Sequence, residues 1–372
     1  MAAIVIERCP QYHLDEVKEQ LNQGLELLGG LARFVGRGER VVVKVNCLLA
    51  AAPERAVTTH PLFLQAVLQL LKERTDNLVV ADSPGYLGFL SAARATGFET
   101  VAKAEGVELA EFHEVVEVEC AEALLYKHFK IAKLIAEADR VINLPKLKTH
   151  GLMYMTGAVK NMFGVIPGIR KTEYHLKARQ DKWLFAKMLV DLYRACPPTL
   201  NLMDGILAME GNGPANGVPV SLGVILLGED GFAMDEVMAR VAGINPERVY
   251  TNAVYRKYVL AGREPVIELL GVPLEEVVQP NFRPIRDVQS VIPEWALRLG
   301  KNALTPRPVY LADRCTRCSI CVRSCPVEAL KLGSVKGVVW DGRACIRCFI
   351  CQEMCPAGAI ELRQGLLSRL IR

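Results

Sequence analysis

The sequence predicts an α/β domain built on a mostly parallel sheet, followed by a small α+β module organised by cysteines. Three features lead there. Strand-like and helix-like runs alternate up to about residue 290. Five prolines, Pro280, Pro284, Pro293, Pro306 and Pro308, then interrupt the pattern, and a cysteine run recurs at a period of 30 residues.

The strand-like runs are Ala3–Glu7, Arg40–Asn46, Asn77–Asp82, Arg140–Leu144, Thr199–Asp204 and Val220–Leu227. Helical patterns fall at Leu14–Leu28, Pro61–Glu73, Leu87–Thr96, Asp181–Ala195 and Phe232–Ala242. In the first of these, Leu14, Val17, Leu21, Leu25 and Leu28 recur at helical spacing and make one apolar face. The α/β domain is expected to span 1–295 and the linker 296–306, with an amphipathic segment, Pro293–Leu304, at their junction. The cysteine module is expected over 307–372.

Hydrophobic residues make up 51% of the 372, ample for a packed core. The first residues, Met-Ala-Ala-Ile-Val-Ile-Glu-Arg, lack a basic start followed by an apolar stretch, so no secretory signal is read. The longest apolar run, Leu62–Leu71, contains Gln65 and Gln69 and falls well short of the roughly 20 residues of a membrane helix. The expectation is a soluble, cytoplasmic protein with no membrane span. Net charge is +4, and residues 305–372 hold 11 Lys and Arg against 5 Asp and Glu. These basic residues are not interleaved with aromatic ones, so nucleic acid is not an expected partner.

The cysteine repeat reads Cys315-Thr-Arg-Cys318-Ser-Ile-Cys321-Val-Arg-Ser-Cys325-Pro326 and Cys345-Ile-Arg-Cys348-Phe-Ile-Cys351-Gln-Glu-Met-Cys355-Pro356. Three closely set thiolates on a tight loop suit an inorganic cubane. The alternative, a zinc ribbon, uses paired C-x2-C knuckles and has no use for the rest of the run. The run resembles that of two-cluster bacterial ferredoxins, which implies two 4Fe–4S clusters with crossed ligation. Cys315, Cys318, Cys321 and Cys355 would hold one, and Cys345, Cys348, Cys351 and Cys325 the other. Short apolar strands flank the copies at Val309–Leu311, Ala329–Leu332, Val338–Trp340 and Ala359–Leu362. Thiolate-bound clusters are anionic, and Arg314, Arg317, Arg323, Arg343 and Arg347 would offset that charge or form a basic rim for an acidic redox partner. Cys9, Cys47, Cys120 and Cys196 are scattered and read as small buried hydrophobes, with Cys47 kept open because it follows a strand end.

Ligands of parallel α/β sheets bind outside the carboxyl ends of the strands. Here those ends carry Lys44 and Asn46, then Asp82, then Lys146, Lys148 and His150, then Asp204. Lys146, Lys148 and His150 alternate, so they share one side if the chain stays extended. A single acid after a strand is ordinarily a turn former. Several polar ends with three bases in five residues point instead to a shared anion-binding crevice. Lys160, in Thr156-Gly-Ala-Val-Lys-Asn-Met-Phe-Gly164, joins it or lies on a solvated helix face. Thr58 or Thr59 reads as the cap of the helix that begins at Pro61. The segment 210–217 lacks the Gly-Lys-Ser/Thr of a P-loop and no helix follows it, so it reads as a turn, with a lid as the alternative.

Val-Lys-Val-Asn46, Thr-Thr-His-Pro61, Asp82-Ser-Pro-Gly85, Asn143-Leu-Pro-Lys-Leu-Lys-Thr-His150, Gly157-Ala-Val-Lys-Asn161 and Asp204-Gly205 together resemble the domain of unknown function 362 family. The likeness covers roughly residues 1–290, and a ferredoxin pair behind that domain is a common arrangement in the family. It implies an iron–sulfur protein of anaerobic metabolism, with the reaction left undefined. A more distant similarity is to the lactate racemase family, which binds a nickel-pincer nucleotide, although the residues do not match one by one.

These readings predict an iron–sulfur electron-transfer protein, an oxidoreductase or redox subunit passing single electrons to or from a ligand or partner at the α/β domain. Lys148 and His150 are the catalytic candidates, with His150 as proton donor. Lys44, Asn46, Asp82, Lys146, Lys160 and Asp204 are the ligand-binding candidates. A redox partner protein and an anionic small molecule are expected, with room for a further, unidentified cofactor in the α/β domain. The alternatives are a pure electron carrier docking a partner oxidoreductase, and a racemase-like enzyme with structural clusters.

Overall fold

Valine-rich runs form the middle of the sheet because it is covered on both faces and leaves its central strands no polar side. The computed structural model describes residues 1–85, 88–168, 170–178, 181–285, 306–333 and 337–363. The strands are β1 (Ala2–Arg8), β2 (Val41–Lys44), β3 (Leu78–Asp82), β4 (Glu108–Glu111), β5 (Val115–Glu119), β6 (His128–Ala132), β7 (Arg140–Asn143) and β8 (Lys146–His150). β9 (Tyr154–Thr156), β10 (Leu200–Glu210), β11 (Val218–Gly228) and β12 (Ile267–Gly271) complete the first domain.

The main sheet runs in the order β12-β1-β11-β10-β7-β2-β3-β4, with β8 against β10 and β9 against β8. Pairings are parallel except where β11 meets β1 and β10 and where β9 meets β8. The expected fold class is the observed one. Successive residues of β2 serve opposite layers. Val41 and Val43 pack with Leu21, Phe63 and Leu64, while Val42 joins the core of Phe185, Leu189 and Met234. Helices Leu14–Leu27 and Pro61–Lys72 therefore lie over one face, and Lys182–Ala195 and Gly231–Val241 over the other.

Each expected strand and helix of this domain is present, with ends shifted by a few residues; β10 continues six residues past its expected end. Several further elements carried weak signals. β4 is Glu-Leu-Ala-Glu at a sheet edge, β5 and β6 form a partly exposed hairpin, and the helix Arg170–Ala178 has few apolar residues. The helix beginning at Pro61 is capped by neither Thr58 nor Thr59. His60 caps it through Nδ1, which accepts from Leu62 N, while Thr59 Oγ1 accepts from Asn46 N and donates to Leu144 O.

In the cysteine module, β13 (Arg307–Tyr310) pairs with β16 (Ile360–Arg363), and β14 (Leu330–Leu332) with β15 (Val338–Trp340), all antiparallel. The outer strands of the two copies thus close on each other. The expected Pro293–Leu304 segment and residues 296–305 of the expected linker lie outside the described residues. Among the described residues no helix is long and apolar enough to cross a membrane.

The module sits against the first domain through the segment 210–217, which is the turn joining β10 to β11. Asn216 Nδ2 donates to Gln352 O at 3.1 Å, and Gln352 Nε2 donates to Asn212 O at 3.2 Å. Arg55 bridges the two modules, donating to Pro356 O and to Ala215 O. A Cβ on Gly85 would lie 2.4 Å from Met354 Sδ, so glycine there is what lets the module approach.

Candidate functional site

β3, β2 and β7 are parallel neighbours, and their register sets Lys44 opposite both Ala81 and Asn143. Their carboxyl ends therefore meet at one place. Lys44 Nζ donates to Asp82 Oδ1 at 2.8 Å and to Val45 O, and the same carboxylate accepts from Cys47 N at 2.6 Å. Lys44 is closed on this partner and buried, so it does not face open space as a binding lysine would. Gly164 covers the pair. A Cβ at that position would stand 2.4 Å from Asp82 Oδ1 and 2.6 Å from Lys44 Nζ. Gly164→Ala is expected to destabilise the chain by about 1–3 kcal/mol, read as a lower denaturant midpoint under anaerobic conditions.

Lys146 and Asp204 form a second closed pair. Lys146 Nζ donates to Asp204 Oδ2 at 2.7 Å and to Tyr12 Oη, which itself donates to Asp204 Oδ1. His60 N also donates to this carboxylate, and the His60 ring stacks on Tyr12 with centroids 3.6 Å apart. The alternation expected of Lys146, Lys148 and His150 holds, since all three lie on β8, yet they do not share a destination. The partners of β8 shift register between Asp204 and Met209, and Lys146 turns to Tyr12 while the other two line a cavity.

That cavity, ≈ 670 Å³, lies between the strand ends and the cysteine module. Three lysines reach it: Lys148, Lys160 and Lys171. Lys148 Nζ donates to Asn46 Oδ1 at 2.7 Å and Val57 O at 2.5 Å, and Lys171 Nζ donates to Ser83 O. Lys160 Nζ lies 5.1 Å from the centroid of the Phe163 ring. Among the described residues none of the three has a carboxylate ion-pair partner, unlike Lys44 and Lys146. Burial pulls Lys148 down to about 7, with Lys160 and Lys146 adding repulsion, and pulls Lys171 to about 7 as well. Lys160 is lowered for the same reason.

His150 reaches the cavity as a neutral ring. Its Nδ1 accepts from Leu152 N at 3.1 Å and Met153 N at 3.3 Å, which places the proton on Nε2, 3.4 Å from Glu353 Oε1. Burial and the neighbouring lysines hold His150 well below its ordinary value, and burial raises Glu353 to about 7. His175, also in the wall, is pulled to about 3 by burial, and its Nδ1 has no partner among the described residues. The opposite wall belongs to the cysteine module and includes Cys325, Pro326, Ile350, Glu353 and Met354.

Within the module the two loops share one backbone. Arg317 and Ser319 have φ of 58° and 63°, and their counterparts Arg347 and Phe349 have 51° and 63°. Left-handed residues at matching positions curl each loop around its cysteines, and consecutive amides in such turns favour anions. Cys315, Cys318, Cys321 and Cys355 surround a cavity of ≈ 260 Å³. Cys345, Cys348, Cys351 and Cys325 surround a tighter one of ≈ 20 Å³. Amides already point at the sulfurs: Ala329 N donates to Cys325 Sγ and Ala359 N to Cys355 Sγ. The donor set, four thiols from both loops at each cavity within apolar surroundings, has the chemistry of a cubane cluster's ligands.

A family model described as domain of unknown function (DUF362) matches residues 41–240. The chain belongs to the DUF362 family. Behind that domain, a 4Fe–4S dicluster domain model matches residues 307–357, so this DUF362 member is an iron–sulfur protein. A thylakoid-associated protein of Synechocystis sp. is 33% identical over 284 residues, which cover 76% of this chain and 87% of that one. Among solved structures, a Thermotoga maritima protein aligns with a TM-score of 0.38 at 14% identity, covering 61% of this chain and 58% of its own. The lactate racemase apoprotein of Thermoanaerobacterium thermosaccharolyticum aligns with a TM-score of 0.40 at 15% identity, covering 64% and 57%. This chain thus spans less than two thirds of either structure's length.

Of the residues picked out in the sequence of this DUF362 protein, Asn46, Asp82, Lys148, His150 and Lys160 line the cavity, and Lys44, Lys146 and Asp204 do not. Cys47 lines it too, with its thiol pushed up by burial and by Asp82. Lys171, His175 and Glu353 were missed. Lys171 and His175 lie on a polar helix with few apolar residues, and Glu353 sits between two cysteines whose spacing holds the eye.

Proposed function

We propose that this DUF362 protein passes single electrons between two 4Fe–4S clusters and an anionic ligand held in the cavity shared by its two modules. One observation carries the reading: the wall facing Lys148, Lys160 and Lys171 contains Cys325, a cysteine of the second thiol set. A ligand resting on the lysines would lie beside that set. The clusters, held by the crossed cysteine sets, supply one-electron transfer. The three lysines neutralise the ligand's charge, since a cation not closed on a carboxylate in a contact ion pair keeps part of its field for an incoming anion. Lys148, with a proton affinity near neutrality, is placed to give a proton to a reduced ligand. Neutral His150 orients through its Nε2–H. Apolar side chains such as Phe163, Ile350 and Met354 exclude water from the same space.

The test is native mass spectrometry of the full chain purified without oxygen, with iron and sulfide counted. About eight irons, together with a bound anionic mass that disappears in Lys160→Ala/Lys171→Ala while the iron stays, is the expected result. Eight irons with no cavity ligand in any preparation would favour a carrier that docks a partner oxidoreductase. Crossed ligation has its own check. Cys325→Ala should remove the cluster of the Cys345 loop and leave that of the Cys315 loop, halving the iron. Loss confined to the Cys315 cluster in electron paramagnetic resonance would overturn the assignment.

A further inference from the structure

Behind Lys148 four asparagines run through the core in one line. Lys148 Nζ donates to Asn46 Oδ1 at 2.7 Å, and Asn46 Nδ2 donates to Asn161 Oδ1 at 2.7 Å. Asn161 Nδ2 donates to Asn143 Oδ1 at 2.7 Å, and Asn143 Nδ2 to Asn201 Oδ1 at 2.8 Å. All four are buried, with Asn143 and Asn201 at 0% exposure. The direction of the line is forced from its far end. Asn201 Nδ2 faces Glu229 O at 2.9 Å and Gly228 O at 3.3 Å, and a carbonyl only accepts. Asn201 must therefore offer its oxygen to Asn143. Asn143 Nδ2 also donates to Ala158 O, and each remaining amide follows in turn.

The consequence is electrostatic. Every amide presents its oxygen toward Lys148 and its N–H₂ away, so the dipoles add head to tail, and hydrogen bonds in such a line polarise one another. Of the other groups facing this ammonium, Glu353 favours its charge from a distance, and no carboxylate is ion-paired to it among the described residues. These groups are Cys47 beyond β2, Lys146 and His150 on β8, Lys160 on the helix Ala158–Asn161, Glu353 of the cysteine module and the Val57 carbonyl. Two of the charged neighbours are lysines.

We infer that the line Asn201–Asn143–Asn161–Asn46 is a positioning relay that favours the cationic form of Lys148 without closing a carboxylate on it. The inference rests on the reading that the cavity takes an anion. A carboxylate in the place of Asn46 would hold the proton as well but would cancel the charge. A relay of neutral amides holds the proton and leaves the charge for the ligand. Asn161, Asn143 and Asn201 are thus positioning residues that act through Asn46.

The test measures the proton affinity of Lys148 itself in the full, cluster-loaded chain. Competitive acetylation with trace acetic anhydride, read by peptide mass spectrometry across pH, gives the midpoint of its reactivity. Asn161→Leu cuts the relay and should raise Lys148 labelling at neutral pH by about threefold or more. Asn161→Asp puts a negative charge on the same spot and should lower it by a similar factor. A merely structural asparagine would not shift the two variants in opposite directions. Movement in the same direction, or none, overturns the relay. Where Asn161→Leu does not retain its clusters, Asn143→Ala cuts the line one link deeper and must raise labelling too. Pyrophosphate binding, measured on the same proteins, separates the two ideas. Opposite labelling shifts without pyrophosphate binding in wild type would keep the relay and remove the anion cavity.

Discussion

Asp204→Ala should leave almost no folded protein. The carboxylate is fully buried and holds Lys146 Nζ, Tyr12 Oη and His60 N at once. Its removal strands a buried ammonium with only a phenol beside it. Removing one partner of a buried pair costs about 3–5 kcal/mol, a large share of a domain's stability. Replacing both, as Lys146→Met/Asp204→Leu, removes the stranded charge and should recover much of the loss, because the desolvation of both ions disappears with them. Soluble yield and the denaturant midpoint of the three proteins read this directly. A stable Asp204→Ala protein that loses only pyrophosphate affinity would return Lys146 and Asp204 to the binding site.

Lys160→Ala/Lys171→Ala should have the opposite profile, with normal folding and iron content but a weakened site. Hydrogen bonds to charged groups are worth about 1.5–3 kcal/mol each, so calorimetry with pyrophosphate should show a loss of at least tenfold. Neither lysine is ion-paired to a carboxylate among the described residues, although Glu353 favours the charge of Lys160 and Asp82 that of Lys171, and removing Lys160 relieves repulsion on Lys148. The pH dependence has a definite sign. Lys148 and Lys171 both sit near 7, cationic below and neutral above. Wild-type affinity should fall as pH rises through about 7, and the fall should be shallower once Lys171 is gone. Affinity that is flat from pH 6 to 8 would mean that neither lysine titrates against the ligand.

How much of this was open to a reader of the chain follows from what each signal is. Strands such as Val41–Lys44 and Leu78–Asp82 are apolar because they are covered on both faces, so burial writes itself into composition. The cysteine run is legible for a different reason, since ligand spacing on a loop is a local property. The site is not local. Lys146 and Lys148 are two residues apart and chemically identical, and only the register shift of β8 against β10 sends one to Asp204 and the other to the cavity. Lys171 belongs to a helix with few apolar residues, and Glu353 arrives from the other module. The direction of the asparagine line depends on two carbonyls at Gly228 and Glu229, far from any motif.

The cavity's two walls also tie the integrity of the site to both modules. One side is formed by the first domain, but the side formed by Cys325, Ile350, Glu353 and Met354 belongs to the cysteine module. Those residues take their final shape around thiols that need iron and sulfide. A site divided in this way is expected to be whole only while the cysteine module is folded, so that unfolding of that module by loss of its clusters would uncover the face that carries Lys148, Lys160 and Lys171.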